Sequence, residues 1–163
     1  MQFSFDDPAN KEPIKSLGPD GLSNSFNKDH VHANIKAKSK KNANLLIADA
    51  LLDQQIVSGI GNKYKSELLF LNKIFPFKKA ISFSEHDLNN LIIDIPKVLS
   101  YGYKNSGKTR PLLNDEKASW NTTHWVFRRT GKQCWVCCTK ILSEKKLTLR
   151  STFWCPQCQP YEL

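Results

Sequence analysis

The chain has 163 residues, 40% of them hydrophobic and 24% charged, with a formal net charge of +9. That length holds one ordinary domain or two small ones, and the balance argues against a disordered chain. No apolar run approaches the roughly 20 residues of a membrane span, and Asp6 and Asp7 stand where a secretory leader would be basic and then apolar.

The expectation is a soluble intracellular protein, in which the N-x-T sequon at Asn121 is a chance match. Its charge is uneven. "KAKSKK", Lys36 to Lys41, holds four lysines, and residues 101–163 hold eleven Lys or Arg against four acids. Two basic regions separated by a neutral one point to a polyanion surface, because a cation set against a phosphate releases condensed counterions.

Residues 1–42 read as irregular: "QFSF" alternates like the end of a strand, and "SLGPDGLSNS" must turn. From Ala43 the spacing of Leu45, Ala48, Leu52 and Ile56 predicts a helix over 43–57, with Asn42 or Asn44 as its cap. "SGIGN" ends it, and a second helix follows on Tyr64, Leu68 and Leu71. A third opens at "SEHD", where Ser84 and Asp87 form a capping-box pattern, and runs through Leu88, Leu91, Ile92, Ile95 and Leu99 with a kink at Pro96. "KKLTLRSTFWC" reads as hairpin strands.

"GYKNSGKT", Gly102 to Thr109, fits the pattern of a nucleotide phosphate loop. Such a loop requires a strand before its first glycine and a helix at its Lys-Thr, and this stretch has neither signal. It reads instead as a flexible basic link whose Lys104, Lys108 and Arg110 reach phosphates of that polyanion, and no nucleotide is expected as a ligand. Asp53 and Glu67 fall on helices, where a cap or surface role is expected.

"CWVC" and "CPQC" place Cys134, Cys137, Cys155 and Cys158 in two C-x2-C pairs with 17 residues between them. Each tight turn points two thiolates at one ion, and two such turns complete a tetrahedron. One structural zinc is expected, with no open position for catalysis. Cys138 reads as a spectator thiol. Arg150 lies between the knuckles, where a hairpin-tip guanidinium can fork two phosphate oxygens. The start of the second helix, "GIGNKY", offers free N–H groups for an anion, with the Asn62 amide and the Tyr64 hydroxyl beside them.

"LLDQQIVSGIGNKYKSELLF", Leu51 to Phe70, resembles the helix–two-turns–helix signature of the formamidopyrimidine-DNA glycosylase/endonuclease VIII family. "GKQCWVCCTKILSEKKLTLRSTFWCPQCQ", Gly131 to Gln159, is similar to that family's C-terminal zinc finger, and "SLGPDGL", Ser16 to Leu22, to the segment after its N-terminal domain. Cys138 stands where a Gly is usual, and the spacing between knuckles is one residue longer than the family's.

The resemblance implies a mainly α fold: a helical bundle over 31–127 and a β-hairpin zinc finger over 128–163, after a remnant of the N-terminal domain and linker over 1–30. It implies that Asn62 and Tyr64 bind phosphates flanking a lesion and that Arg150 reaches the DNA from the hairpin. Family members excise oxidised bases and cleave abasic sites with an N-terminal proline and a glutamate, ahead of a β-sandwich domain. Gln2 and Phe3 stand in those places here, and "QFSFDDPANKEP" resembles the sandwich's last strand region. The expectation is therefore a chain without the β-sandwich domain and without catalytic residues, inactive alone. Its expected partners are damaged double-stranded DNA and a separately encoded N-terminal domain. The alternative is a non-catalytic, zinc-containing DNA-binding module.

Overall fold

The computed structural model describes residues 16–112, 117–119, 122–145 and 147–161. The strand end expected at Gln2–Phe5 and the sequon at Asn121 lie outside them. Among the described residues the order is α1 (Lys28–Lys41), α2 (Ile47–Leu52), α3 (Asn62–Leu71), a 3-10 turn at Ala80–Ser82, α4 (Glu85–Lys104), β1 (Leu142–Glu144) and β2 (Thr152–Trp154). The two strands are antiparallel, with Ser143 opposite Phe153.

α4 forms as its sequence predicts. The Ser84 hydroxyl accepts the Asp87 N–H at 3.0 Å, and the buried face runs Leu88, Leu91, Ile92, Ile95 and Leu99. The helix continues past Pro96, which has no N–H to give the Ile92 carbonyl one turn back.

Three expectations are corrected. Residues 28–41 are helical, not irregular, and form α1. Its Asn27 side chain caps the His30 N–H, Asp29 sits at the positive end of the helix dipole, and three lysines sit at the negative end. The helix expected over 43–57 is only the six residues of α2. Asn42 ends α1 instead of capping α2, and the side chain of Leu46, the N-cap of α2, makes no capping hydrogen bond. In the hairpin, only 142–144 and 152–154 are strand among the described residues, so "LTLR", Leu147 to Arg150, belongs to the connection and not to a strand.

Val31 and Ile35 of α1, Leu51 of α2, Leu68 and Leu69 of α3 and the α4 face bury one another completely or nearly so. Burial of each such side chain stabilises by about 1.5–3 kcal/mol. The segment at 18–21 lies along the turn between α2 and α3: Gly18 N–H reaches the Gln54 carbonyl at 2.8 Å, and Ser58 N–H the Pro19 carbonyl at 3.0 Å. A Cβ on Gly18 would stand 2.5 Å from the Ile56 carbonyl carbon, so only glycine allows this approach. A second, smaller core gathers Val126, Ile141, Cys134 and Cys155 around Phe70, which α3 contributes. The two cores therefore meet along α3.

Candidate nucleic-acid interface and metal centre

The chain turns through Gly59, at φ +91°, and Gly61 serves as the N-cap of α3. The first intrahelical bond is Lys65 N–H to the Gly61 carbonyl, which leaves the N–H groups before it at the positive end of the helix dipole. Open space lies over Gly61. Asn62 is the first residue of the helix, not its cap. Its Nδ2 donates to the Ser151 carbonyl at 2.9 Å, and its second N–H remains for another acceptor. Asn62 and the hairpin that carries Arg150 thus form one surface, although 89 positions separate the bonded pair.

Arg150 is exposed, and among the described residues its guanidinium has no partner. Tyr64 is placed differently. Its hydroxyl lies against Gly102 of α4, so close that a Cβ there would stand 2.4 Å from it. Partial burial raises the Tyr64 pKa. Lys63 lies 4.4 Å from the Tyr64 ring centroid, and its Nζ donates to the Gly107 carbonyl at 2.8 Å. The structure therefore brings Asn62 and the Arg150 turn together and sets Tyr64 against α4.

The four cysteines meet as their spacing predicts. The sulfurs of Cys134, Cys137, Cys155 and Cys158 all lie within 4.8 Å of one another, with Cys134–Cys158 at 3.8 Å and Cys137–Cys155 at 3.4 Å. A tetrahedral zinc bound at about 2.3 Å sets sulfurs roughly 3.8 Å apart, so the cluster fits that ion. Hydrogen bonding from Thr139 pulls the Cys137 thiol down to about 6, while burial pushes Cys155 and Cys158 up. Four thiolates so close require a cation to coexist. Cys138 is not one of the four; it is exposed and takes φ +62°.

The stretch before the metal centre departs most from expectation. Glu67 is completely buried. It accepts the N–H groups of Trp125, Val126 and Phe127 at 2.8–2.9 Å and the Thr109 hydroxyl. The surface role expected for it is wrong; it caps a backbone segment that belongs to the second core.

Asp53 keeps the expected cap role at the end of α2 and pairs with Lys38 at 2.5 Å. Thr109 and Arg110 are buried too, so the expected flexible link is a packed one. Arg110 stands 3.8 Å from the Trp135 ring centroid, and Arg129 stands 4.4 Å from the same point. Gly102 lies inside α4 and Thr109 serves Glu67, so the stretch lacks the strand–loop–helix geometry of a nucleotide loop.

Sequence reasoning also missed Lys65. Its side chain has 0% exposure, and its Nζ donates to Thr152 Oγ1 at 2.8 Å. Burial lowers its pKa to about 8, against the opposing pull of Asp49. The signal available was a lysine three and four positions before Leu68 and Leu69, on one face of α3 where an apolar residue is the ordinary choice.

The comparisons with known proteins agree with this geometry. The family model "Formamidopyrimidine-DNA glycosylase H2TH domain" matches residues 17–111. The chain is 37% identical over 149 residues to a formamidopyrimidine-DNA glycosylase of Prochlorococcus marinus (strain NATL2A), covering 90% of this chain and 51% of that protein. It is 32% identical over 151 residues to one of Aliivibrio fischeri (strain ATCC 700601 / ES114), covering 91% and 53%.

Among solved structures, the MutM (Fpg) protein of Thermus thermophilus superposes with a TM-score of 0.76 at 26% identity, over 96% of this chain and 59% of that one. A Lactococcus lactis Fpg bound to abasic-site DNA gives 0.69 at 26% identity, over 90% and 53%. The chain thus spans about half the length of the relatives it matches. No helix among the described residues is long and apolar enough to cross a membrane. The match over 17–111, the α2–turn–α3 corner and the four-cysteine hairpin agree, and the chain belongs to the formamidopyrimidine-DNA glycosylase family.

Proposed function

We propose that this chain grips double-stranded DNA at sites of base damage, as the helix–two-turns–helix and zinc-finger part of a base-excision glycosylase. The observation that carries the reading is the Asn62–Ser151 bond, which sets the free amide hydrogen of Asn62 and the exposed Arg150 on one surface. In this reading both side chains and the first N–H groups of α3 hold phosphates flanking the lesion. Tyr64 is proposed as a third phosphate-binding residue, its hydroxyl held against Gly102 of α4. The basic residues around the hairpin supply the sequence-independent attraction.

One zinc on Cys134, Cys137, Cys155 and Cys158 holds the hairpin. With four protein ligands its role is structural, and it neutralises the thiolates around which the second core packs. The proposed division at residues 127/128 falls where Glu67 clasps the backbone of 125–127. Damage preference and partnership with a separately supplied N-terminal domain belong to the same proposal, resting on the DNA-bound relatives and on the share of their length that is matched.

The test is binding to abasic-site and undamaged duplexes across a salt series. Asn62→Ala and Arg150→Ala should each weaken binding, and Arg150→Ala should lower the salt slope by about one phosphate contact. Equal affinity for both duplexes would favour a DNA-binding module without lesion preference. Unchanged binding in the double variant would refute the interface.

A further inference from the structure

The turn that carries Arg150 is held at successive positions by side chains of α2 and α3. Leu149 N–H donates to Asp49 Oδ1 at 2.9 Å, and the Ser151 carbonyl accepts from Asn62. Lys65 Nζ donates to Thr152 Oγ1 at 2.8 Å, and the hydroxyls of Thr152 and Thr148 stand 2.8 Å apart. Both hydroxyls reach the carbonyl of Arg150 itself, at 3.1 Å and 2.7 Å. Arg150 thus has an immobilised backbone and an exposed side chain, flanked by Leu149 at 78% exposure.

A buried ammonium in such a place asks for a reason. A methionine would fill the same volume without the cost of desolvating a charge. What the amine adds is a donor that occupies the Thr152 oxygen, so that the hydroxyl proton of Thr152 is directed to the Arg150 carbonyl. Asp49 supplies the compensating negative charge and fixes the residue before Arg150 with its other interaction.

We propose that Lys65 and Asp49 are positioning residues for Arg150: they lock the 148–152 turn so that the guanidinium meets a DNA phosphate beside Asn62 without the turn first being ordered. This rests on the reading that Arg150 binds phosphate. A backbone ordered beforehand loses less freedom on binding, so the affinity that Arg150 contributes depends on the lock.

The test is a cycle of wild type, Lys65→Met, Arg150→Ala and the double variant, each checked for zinc content and thermal unfolding, with duplex affinity measured across salt. Lys65→Met should weaken binding roughly five- to tenfold and lower the salt slope. It should weaken binding no further in the Arg150→Ala background. Asp49→Ala should behave like Lys65→Met, and Asp49→Asn, which keeps the acceptor for Leu149 N–H, should recover most of the loss.

Equal weakening in both backgrounds overturns the proposal, as does unchanged affinity in a folded, zinc-loaded Lys65→Met protein. If Lys65→Met does not fold, the two Asp49 variants decide, and no difference between them overturns it. Wild-type binding and salt slope in Arg150→Ala alone overturn the phosphate reading beneath it, an outcome visible without any Lys65 variant.

Discussion

Glu67 Oε1 accepts the backbone N–H of Val126 at 2.9 Å, across 59 positions of sequence. Among the described residues the carboxylate faces only donors: three backbone N–H groups and one hydroxyl. Glu67→Gln puts an amide N–H₂ where an acceptor is required and leaves at least one buried donor unpaired. It should cost about 2–4 kcal/mol, measured by urea unfolding. A loss below the error of that measurement would show that the clasp contributes nothing.

Cys138 occupies a left-handed conformation, φ +62°, that costs a side chain about 1–2 kcal/mol relative to glycine. Cys138→Gly should therefore raise stability by about 1 kcal/mol and leave metal content at one ion per chain. The second half of the prediction separates strain from ligation, since a fall in metal content would make Cys138 a ligand.

Metal removal should act locally. The second core is built on the sulfurs themselves, with Cys134 and Cys155 buried against Val126 and Ile141, whereas the α1–α4 core has no share in it. Chelation, or Cys155→Ser, should abolish the hairpin's order and weaken DNA binding by ~10-fold or more while the far-UV helical signal persists. Loss of the helical signal along with the hairpin would show that the two cores do not stand apart.

The buried Lys65 gives stability a pH dependence of definite sign. Its folded pKa is about 8, below the 10.5 of an ordinary lysine, so between those values the unfolded chain holds more protons. The penalty of burying the charge is fully present below about 8 and relieved as pH rises toward 10.5. Wild type should gain stability relative to Lys65→Met between about pH 7.5 and about pH 9.5. A difference that is flat or falls over that range contradicts the assignment. The same lowered pKa is what an amine nucleophile requires, yet at 0% exposure this amine meets no sugar, and borohydride should trap no abasic-site adduct on Lys65.

The parts legible in sequence were those whose partners are near in the chain. Ser84 and Asp87 announce α4, and two C-x2-C turns announce the metal centre because each places its own pair of sulfurs. α1 was hidden because only Val31, Ile35 and Ser39 of its fourteen residues are buried, a stripe one residue wide in a charged segment. Its cap and charge order were legible cues, masked by the basic composition around them. Glu67, Lys65 and the Asn62–Ser151 bond were not legible, because each has partners 42 to 100 positions away or lies beside one that does. Periodicity places such residues on a helix face; it does not say what the face meets.

The seam between α3 and the hairpin therefore carries a kinetic consequence. Its contacts close some of the longest loops in the molecule, and loop closure grows costlier with separation. Helices and knuckles can each form from local contacts, but the shared surface exists only after they dock. The seam should open more readily than the α4 core, so amide exchange at Trp125, Val126 and Phe127 should outpace that at Leu91 and Ile92. Each opening separates Asn62 from Ser151, and the surface proposed to face phosphate is present only for as long as the dock holds.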